Sequence, residues 1–354
     1  MTIQPDTGTR TSGIEPATYR VYALRVRCSR PIPGLESVPA TSEVDLEVRL
    51  DEGQSWPKGS LKAPRQLWHE SANRDQHGEP ILRVWMGADG SFFHLRYQDG
   101  TEFLVDRAGT QVWASWPASL TLEDACAYLL GPVLGLVLRF RGVTCLHASA
   151  IDLGGLAIAI AGAPGSGKST AAAIFAKSGY RVLSDDVVAL ADHGSGFLAQ
   201  PAYPRLGLWS DSVEALFGLP DALPQQTPTW NKCYWDLTQN GDKFQRGPLP
   251  LCAVYVLSER DTDARAPFVE ALPLRVGLTQ LIENTYVSYL LDSTMSVRDL
   301  DVLARLVLSM PVRRLVPHAD SRYLASLRDV VLDDFQALTM RGAITTASAA
   351  RAAI

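Results

Sequence analysis

Cysteine is scarce in this chain and never clustered. Positions 28, 126, 145, 233 and 252 are odd in number and contain no C-x-x-C pair, which excludes a disulfide framework and a cysteine-based structural zinc site. A basic surplus is also lacking. Lys and Arg total 33 against 38 Asp and Glu, a net charge of −5, so the electrostatic footprint of a nucleic-acid partner is missing. The longest apolar stretch, residues 125–138, is interrupted by Gly131, Pro132 and Gly135 and is too short for a bilayer, so no membrane partner is expected. The opening MTIQPDTGTRTSG has neither the charged start nor the apolar core of a signal peptide. With scattered free thiols, this leads to the expectation of a cytoplasmic protein.

What is present is enough for a sizeable core: 354 residues, 46% of them hydrophobic. The informative stretch is 156–186, LAIAIAGAPGSGKSTAAAIFAKSGYRVLSDD. Residues 156–161 read as a short buried strand that stops at a glycine. The spacing G-x-x-x-x-G-K-S then runs from Gly162 to Ser169. Glycines 162, 165 and 167 let backbone N–H groups face a phosphate, and a helix predicted over 168–177 aims its N-terminus at the same anion. Gly162, Ala163, Pro164, Gly165, Ser166, Gly167, Lys168, Ser169 and Thr170 are therefore the candidate nucleotide-binding residues. Lys168 supplies charge to the β- and γ-phosphates, and Ser169 a hydroxyl for Mg²⁺. ATP and Mg²⁺ are the expected ligands.

The next predicted strand, 180–184, ends in Asp185 and Asp186. Two carboxylates at a strand's C-terminal end lie where open α/β sheets bind ligands. One can hold the metal while the other takes a proton from an attacking hydroxyl; Asp185 is assigned to the metal and Asp186 to the base. Adjacent carboxylates share charge poorly, so one of them is expected to have a raised pKa. Phosphoryl transfer also needs cations at the transferring group, for which Lys232, Arg205 and Arg246 are candidates.

Upstream, residues 19–28, 44–50, 81–86, 92–98 and 102–113 read as strands separated by Gly, Pro and Asp clusters, an antiparallel β-rich region. Its five tryptophans, at 56, 68, 85, 113 and 116, read as core rather than as a site. A helix kinked at Pro132 is predicted over 121–139, then a strand over 143–153 that carries His147 and turns through Gly154-Gly155. Further on, 276–291, 297–308 and 321–335 read as helices and 251–257 and 312–316 as strands. Residues 219–231, with three prolines, read as a loop able to cover an acceptor.

The order L-H-A-S-A (146–150), G-A-P-G-S-G-K-S-T and R-V-L-S-D-D resembles the HPr kinase/phosphorylase family of P-loop kinases. Residues 203–218 and 231–237 resemble its diverged branch, which includes kinases of ribosomally made lasso-peptide precursors. The resemblance covers about residues 120–335. It implies an α/β fold, with a P-loop kinase core of HPr-kinase type beside the antiparallel β-rich N-terminal domain. It also brings His147 near the phosphates as a further catalytic candidate.

The expected layout is a disordered leader (1–18), the β-rich domain (19–118), the kinase domain (119–335) and a flexible tail (336–354). The implied activity is ATP-dependent transfer of the γ-phosphoryl group to a serine hydroxyl of a peptide or protein partner. The long signature that follows the acid pair in HPr kinase/phosphorylase is not recognisable here, so the resemblance carries neither reverse phosphorylase activity nor HPr recognition over to this chain. The family often forms homo-oligomers. Alternatives are a small-molecule hydroxyl kinase, a non-catalytic nucleotide-gated binding protein and an ATPase driving a partner.

Overall fold

The computed structural model describes residues 15–52, 56 and 64–342. The expected leader up to residue 14 and the expected tail from 343 lie outside the described residues.

Eight strands come first: β1 (Ala17–Val21), β2 (Leu24–Cys28), β3 (Leu46–Glu52), β4 (Arg65–Glu70), β5 (Leu82–Gly87), β6 (Phe92–Tyr97), β7 (Glu102–Asp106) and β8 (Gln111–Trp116). They form one sheet in the order β1-β2-β3-β8-β7-β6-β5-β4. From β4 to β8 it is an antiparallel meander, as alternation and the Asp-Gly turns predict. The expected all-antiparallel sheet is corrected at β3, which pairs parallel with both β2 and β8. The long connection from β2, interrupted by Pro31, Pro33 and Pro39, carries the chain back before β3 begins, so no hairpin is made.

Two expected strands are split. The 19–28 run bends at Tyr22 and Ala23, both at positive φ, where the Tyr22 N–H donates to the Pro201 carbonyl. The 102–113 run breaks at a turn in which Asp106 accepts from the Thr110 and Gln111 amides.

Helix α1 (Leu122–Tyr128) begins with a capping box between Thr121 and Asp124. A wider turn, Leu129–Val133, contains Pro132 and the non-helical Gly131, and α2 (Leu134–Phe140) follows. The kink therefore falls where proline removes a donor.

The second half comprises β9 (Thr144–Asp152), β10 (Ala157–Ala161), α3 (Lys168–Lys177), β11 (Arg181–Ser184), β12 (Val187–Asp192), β13 (Phe197–Ala199), β14 (Arg205–Trp209), α4 (Ser210–Phe217), β15 (Lys232–Asp236), β16 (Leu249–Leu257), β17 (Phe268–Ala271), α5 (Leu274–Glu283), α6 (Ser293–Ser309), β18 (Val312–Val316) and α7 (Leu324–Met340). Its sheet runs β10-β9-β12-β13-β16-β18-β17, with β10 also parallel to β16 and β11 antiparallel to β9. The β14–β15 pair is a separate two-stranded ribbon. Helix α5 stops at Glu283, short of the expected 291, and α7 continues past the expected 335. Edge strand β17 lacks the apolar alternation that would reveal it.

Apolar packing joins the two halves. One continuous core includes Leu46 and Phe93 of the first sheet, Val133 and Val137 of the kinked helix, and Val187 and Tyr286 beyond. A separate core lies beneath α3, with Phe175 and Tyr255 fully buried. No described helix is long and apolar enough to cross a membrane.

Close approach at the junction depends on glycine. A Cβ at Gly135 would stand 2.4 and 2.6 Å from ring carbons of Tyr286. Gly135→Ala is therefore expected to destabilise the protein by about 1–3 kcal/mol through overpacking, measured by chemical denaturation. An equally stable variant would mean that the ring does not pack there.

Candidate active site

Strand β10 delivers the chain into the Gly162–Ser169 loop, and α3 carries it away under a fully apolar face. Gly167 occupies the N-cap at φ 105°, a conformation glycine adopts without strain. At Gly162 a Cβ would lie 2.7 Å from Ser166 Oγ and 3.2 Å from Leu257 Cβ, so a larger residue would have to displace the Ser166 side chain. Lys168 is 6% exposed, and its ammonium donates to the Gly162 and Ala163 carbonyls, each at 2.9 Å. Burial lowers its pKa, against the opposing pull of Asp186 and Asp185.

The acid pair sits between β11 and β12, both antiparallel to β9, just after the bulge at Val182–Ser184. Asp185 points to the loop. Its Oδ1 accepts from Ser169 Oγ at 2.8 Å and from Ser149 Oγ at 2.7 Å, and its Oδ2 from the Gly207 amide at 3.0 Å. Asp186 has φ +70°, and this left-handed step sends its side chain elsewhere. His147 Nε2 lies 3.2 Å from Asp186 Oδ1, and the Tyr286 hydroxyl donates to Oδ2 at 2.8 Å. His147 and Ser149 are two apart on β9 and so share a face, one serving each aspartate.

The expectation of a raised carboxyl pKa is not met at Asp186. Burial acts to raise it, but hydrogen bonding and charge from His147, the Lys232 ammonium and the Tyr286 hydroxyl outweigh burial and hold it down at about 2. The carboxylate is ionised at neutral pH, as partial exposure of its side chain also favours.

The three candidate cations separate. Lys232 crosses Gly207, where a Cβ would stand 2.6 Å from its Cε, and enters the cleft that holds both aspartates. Arg205 lies at the wall of that cleft, over the Tyr234 ring at 4.6 Å, and donates to the Pro33 carbonyl of the first half. Arg246 is paired with Asp242 on the surface and lies outside the cleft's lining.

The Asp185–Asp186 cleft encloses about 220 Å³, and Tyr203, Trp230 and Gly131 complete its walls. A second cavity of about 320 Å³ lies against Gly167 and Thr170 and reaches Arg260, His318 and Tyr323, the last two rings 4.0 Å apart. The glycine loop lines this second cavity directly and meets the Asp185–Asp186 cleft through the Ser169–Asp185 contact. The 219–231 loop is tied down rather than free: Thr229 donates to Asp124, and Gln226 N–H donates to the Lys232 carbonyl at 2.7 Å.

Among the described residues no group of three or more His, Cys, Asp and Glu could hold a metal ion. The oxygens of Ser169 and Asp185, together with phosphate and water, nevertheless suit Mg²⁺, which needs few protein ligands. Sequence reasoning did not single out Ser149 or Tyr286. The i, i+2 spacing from His147 could have indicated Ser149; Tyr286 lies 100 positions from Asp186 and leaves no local signal.

No family model matches the chain, and no curated protein sequence does. Among solved structures it is similar to the HPr(Ser) kinase/phosphatase from Coxiella burnetii, with a TM-score of 0.32 and 11% identity over 55% of this chain and 98% of that one. Likeness at that level does not establish a shared fold or activity.

Because folding depresses the Asp186 pKa, its contribution to stability is present above the unfolded value near ~4 and lost as pH falls through about 2. The stability gap between wild type and Asp186→Asn should shrink across that window. Denaturation at stepped pH measures it; a gap that widened towards low pH would contradict the assignment.

Proposed function

We propose that the chain is an ATP-dependent phosphotransferase that moves the γ-phosphoryl group to a serine hydroxyl of a peptide, most narrowly a ribosomally made lasso-peptide precursor. The observation that carries this reading is the contact between Ser169 and Asp185 at the phosphate loop, with Asp186 facing the adjoining cleft. Loop amides and the α3 N-terminus would cradle the triphosphate, and the His318–Tyr323 cavity has room for the nucleoside. Lys168 would exchange the Gly162 and Ala163 carbonyls for phosphate oxygens. Ser169 and Asp185 would hold Mg²⁺, which neutralises phosphate charge when bound.

In the 220 Å³ cleft an acceptor hydroxyl can donate to Asp186. The hydroxyl oxygen bonds to the γ-phosphorus, the bond from phosphorus to the bridging oxygen breaks, and ADP departs. A carboxylate with a depressed pKa is a weak base, so Asp186 orients the nucleophile first and takes the proton late, as a loose transition state allows. Lys232 places a cation on the same side. The narrower peptide assignment is supported by the family-like segments within 203–237, whose strands β14 and β15 contribute Arg205, Gly207, Lys232 and Tyr234 to this wall.

Lys168→Ala is expected to lose both ATP affinity and turnover. Asp186→Asn is expected to retain ATP binding yet lose transfer by several orders of magnitude, read by calorimetry and by intact mass of the acceptor. Normal transfer by both Asp185→Asn and Asp186→Asn would overturn the mechanism. A mass gain on a small hydroxyl compound but on no peptide would move the acceptor to that class.

A further inference from the structure

The cleft beside Asp186 does not end at its own walls. Tyr97, Tyr128, Pro132 and Trp230 also line a neighbouring cavity of about 500 Å³, which extends over β4 and β5 of the first sheet and is bordered by His69 and Tyr289. Five flat rings stand on its walls. Tyr97 and Tyr128 stack at 3.8 Å, His69 and Tyr289 lie 4.6 Å apart, and Trp230 meets Tyr128 edge-on at 5.2 Å. None of the described lining residues is Asp, Glu, Lys or Arg.

One polar group at the neck is unspent. Tyr97 is 7% exposed and its hydroxyl has no hydrogen-bond partner, whereas the Tyr128 hydroxyl donates to Asp99. Burying an unpaired hydroxyl is costly, and a ligand crossing the neck would satisfy it. Across the cleft, Arg205 Nε and Gln226 Oε1 are likewise buried without partners. A peptide unit carries one donor and one acceptor, the two kinds of group left unpaired on these two cleft-lining residues.

We propose that the 500 Å³ cavity is a side-chain subsite for a peptide acceptor, taking an uncharged, preferably aromatic residue that flanks the phosphorylated serine. Flat rings on the wall favour a flat guest, and with no charged side chain among the described lining residues a carboxylate or ammonium there is costly to desolvate. The first sheet thereby becomes part of acceptor recognition. This inference rests on the kinase reading above, since it assumes a hydroxyl delivered to Asp186.

The test uses the full chain with ATP, Mg²⁺ and serine-centred peptides in which each flanking position is varied through Trp, Leu, Gly and Asp. Phosphate incorporation is followed by mass. At one flanking position Trp should exceed Asp by about tenfold in kcat/KM. That ratio should collapse towards unity in Tyr289→Ala, whose side chain is partly exposed, while ATP binding is kept. Tyr97→Phe, which removes only the hydroxyl, should raise KM and leave the aromatic preference.

Transfer without any side-chain preference, or a preference that survives Tyr289→Ala, would overturn the subsite and leave the kinase reading intact. ATP binding without transfer to any peptide would overturn the peptide assignment. Failure to bind ATP would remove the kinase reading and this inference with it.

Discussion

Two carboxylates can stand side by side at the centre of this protein because the backbone turns them apart. The left-handed step at Asp186 separates its side chain from that of Asp185, so one acid joins the loop serine and the other joins His147 and Tyr286. Without that step the two charges would compete for one space, and one would be driven to protonate. Each instead has its own donors: two hydroxyls and an amide for Asp185, an imidazole and a phenol for Asp186. Residues held in sparse regions of conformational space persist when their surroundings over-determine them, and Asp186 is held in this way.

The remaining architecture serves this arrangement through close packing. The kink at Gly131 and the missing side chain at Gly135 bring α1 and α2 against Tyr286, which in turn holds Asp186. Gly207 does two things at once: its amide meets Asp185, and its bare α-carbon leaves a path for Lys232. The first sheet shares a core with these helices, so its placement and the geometry of the acid pair are coupled.

Legibility in the sequence followed the range of the interactions. The loop, its flanking strand and helix, and the acid pair were readable because each is set by neighbours within a few positions. The helix predicted over 168–177 coincides with α3, and the kink falls at Pro132. What failed was non-local. Parallel pairing of β3 depends on where a proline-rich connection returns the chain, and the Tyr22–Ala23 turn has no Gly, Asn or Asp to announce it. The segments around them favour Lys232 over Arg205, but only the folded chain shows both at the cleft with Arg205 anchored on the Pro33 carbonyl. The raised carboxyl pKa expected for one of the pair is not found at Asp186, because His147, Lys232 and Tyr286 from distant parts of the chain outweigh burial there.

The measurement closest to the central claim follows the γ-phosphate itself. ATP labelled at that position is incubated with the protein, Mg²⁺ and a serine-containing peptide, and the label is located. If the Asp186 cleft presents a hydroxyl to a phosphate held by the glycine loop, the label appears on the peptide serine. Label found only as free phosphate, or left on ATP while ATP is bound, would contradict it.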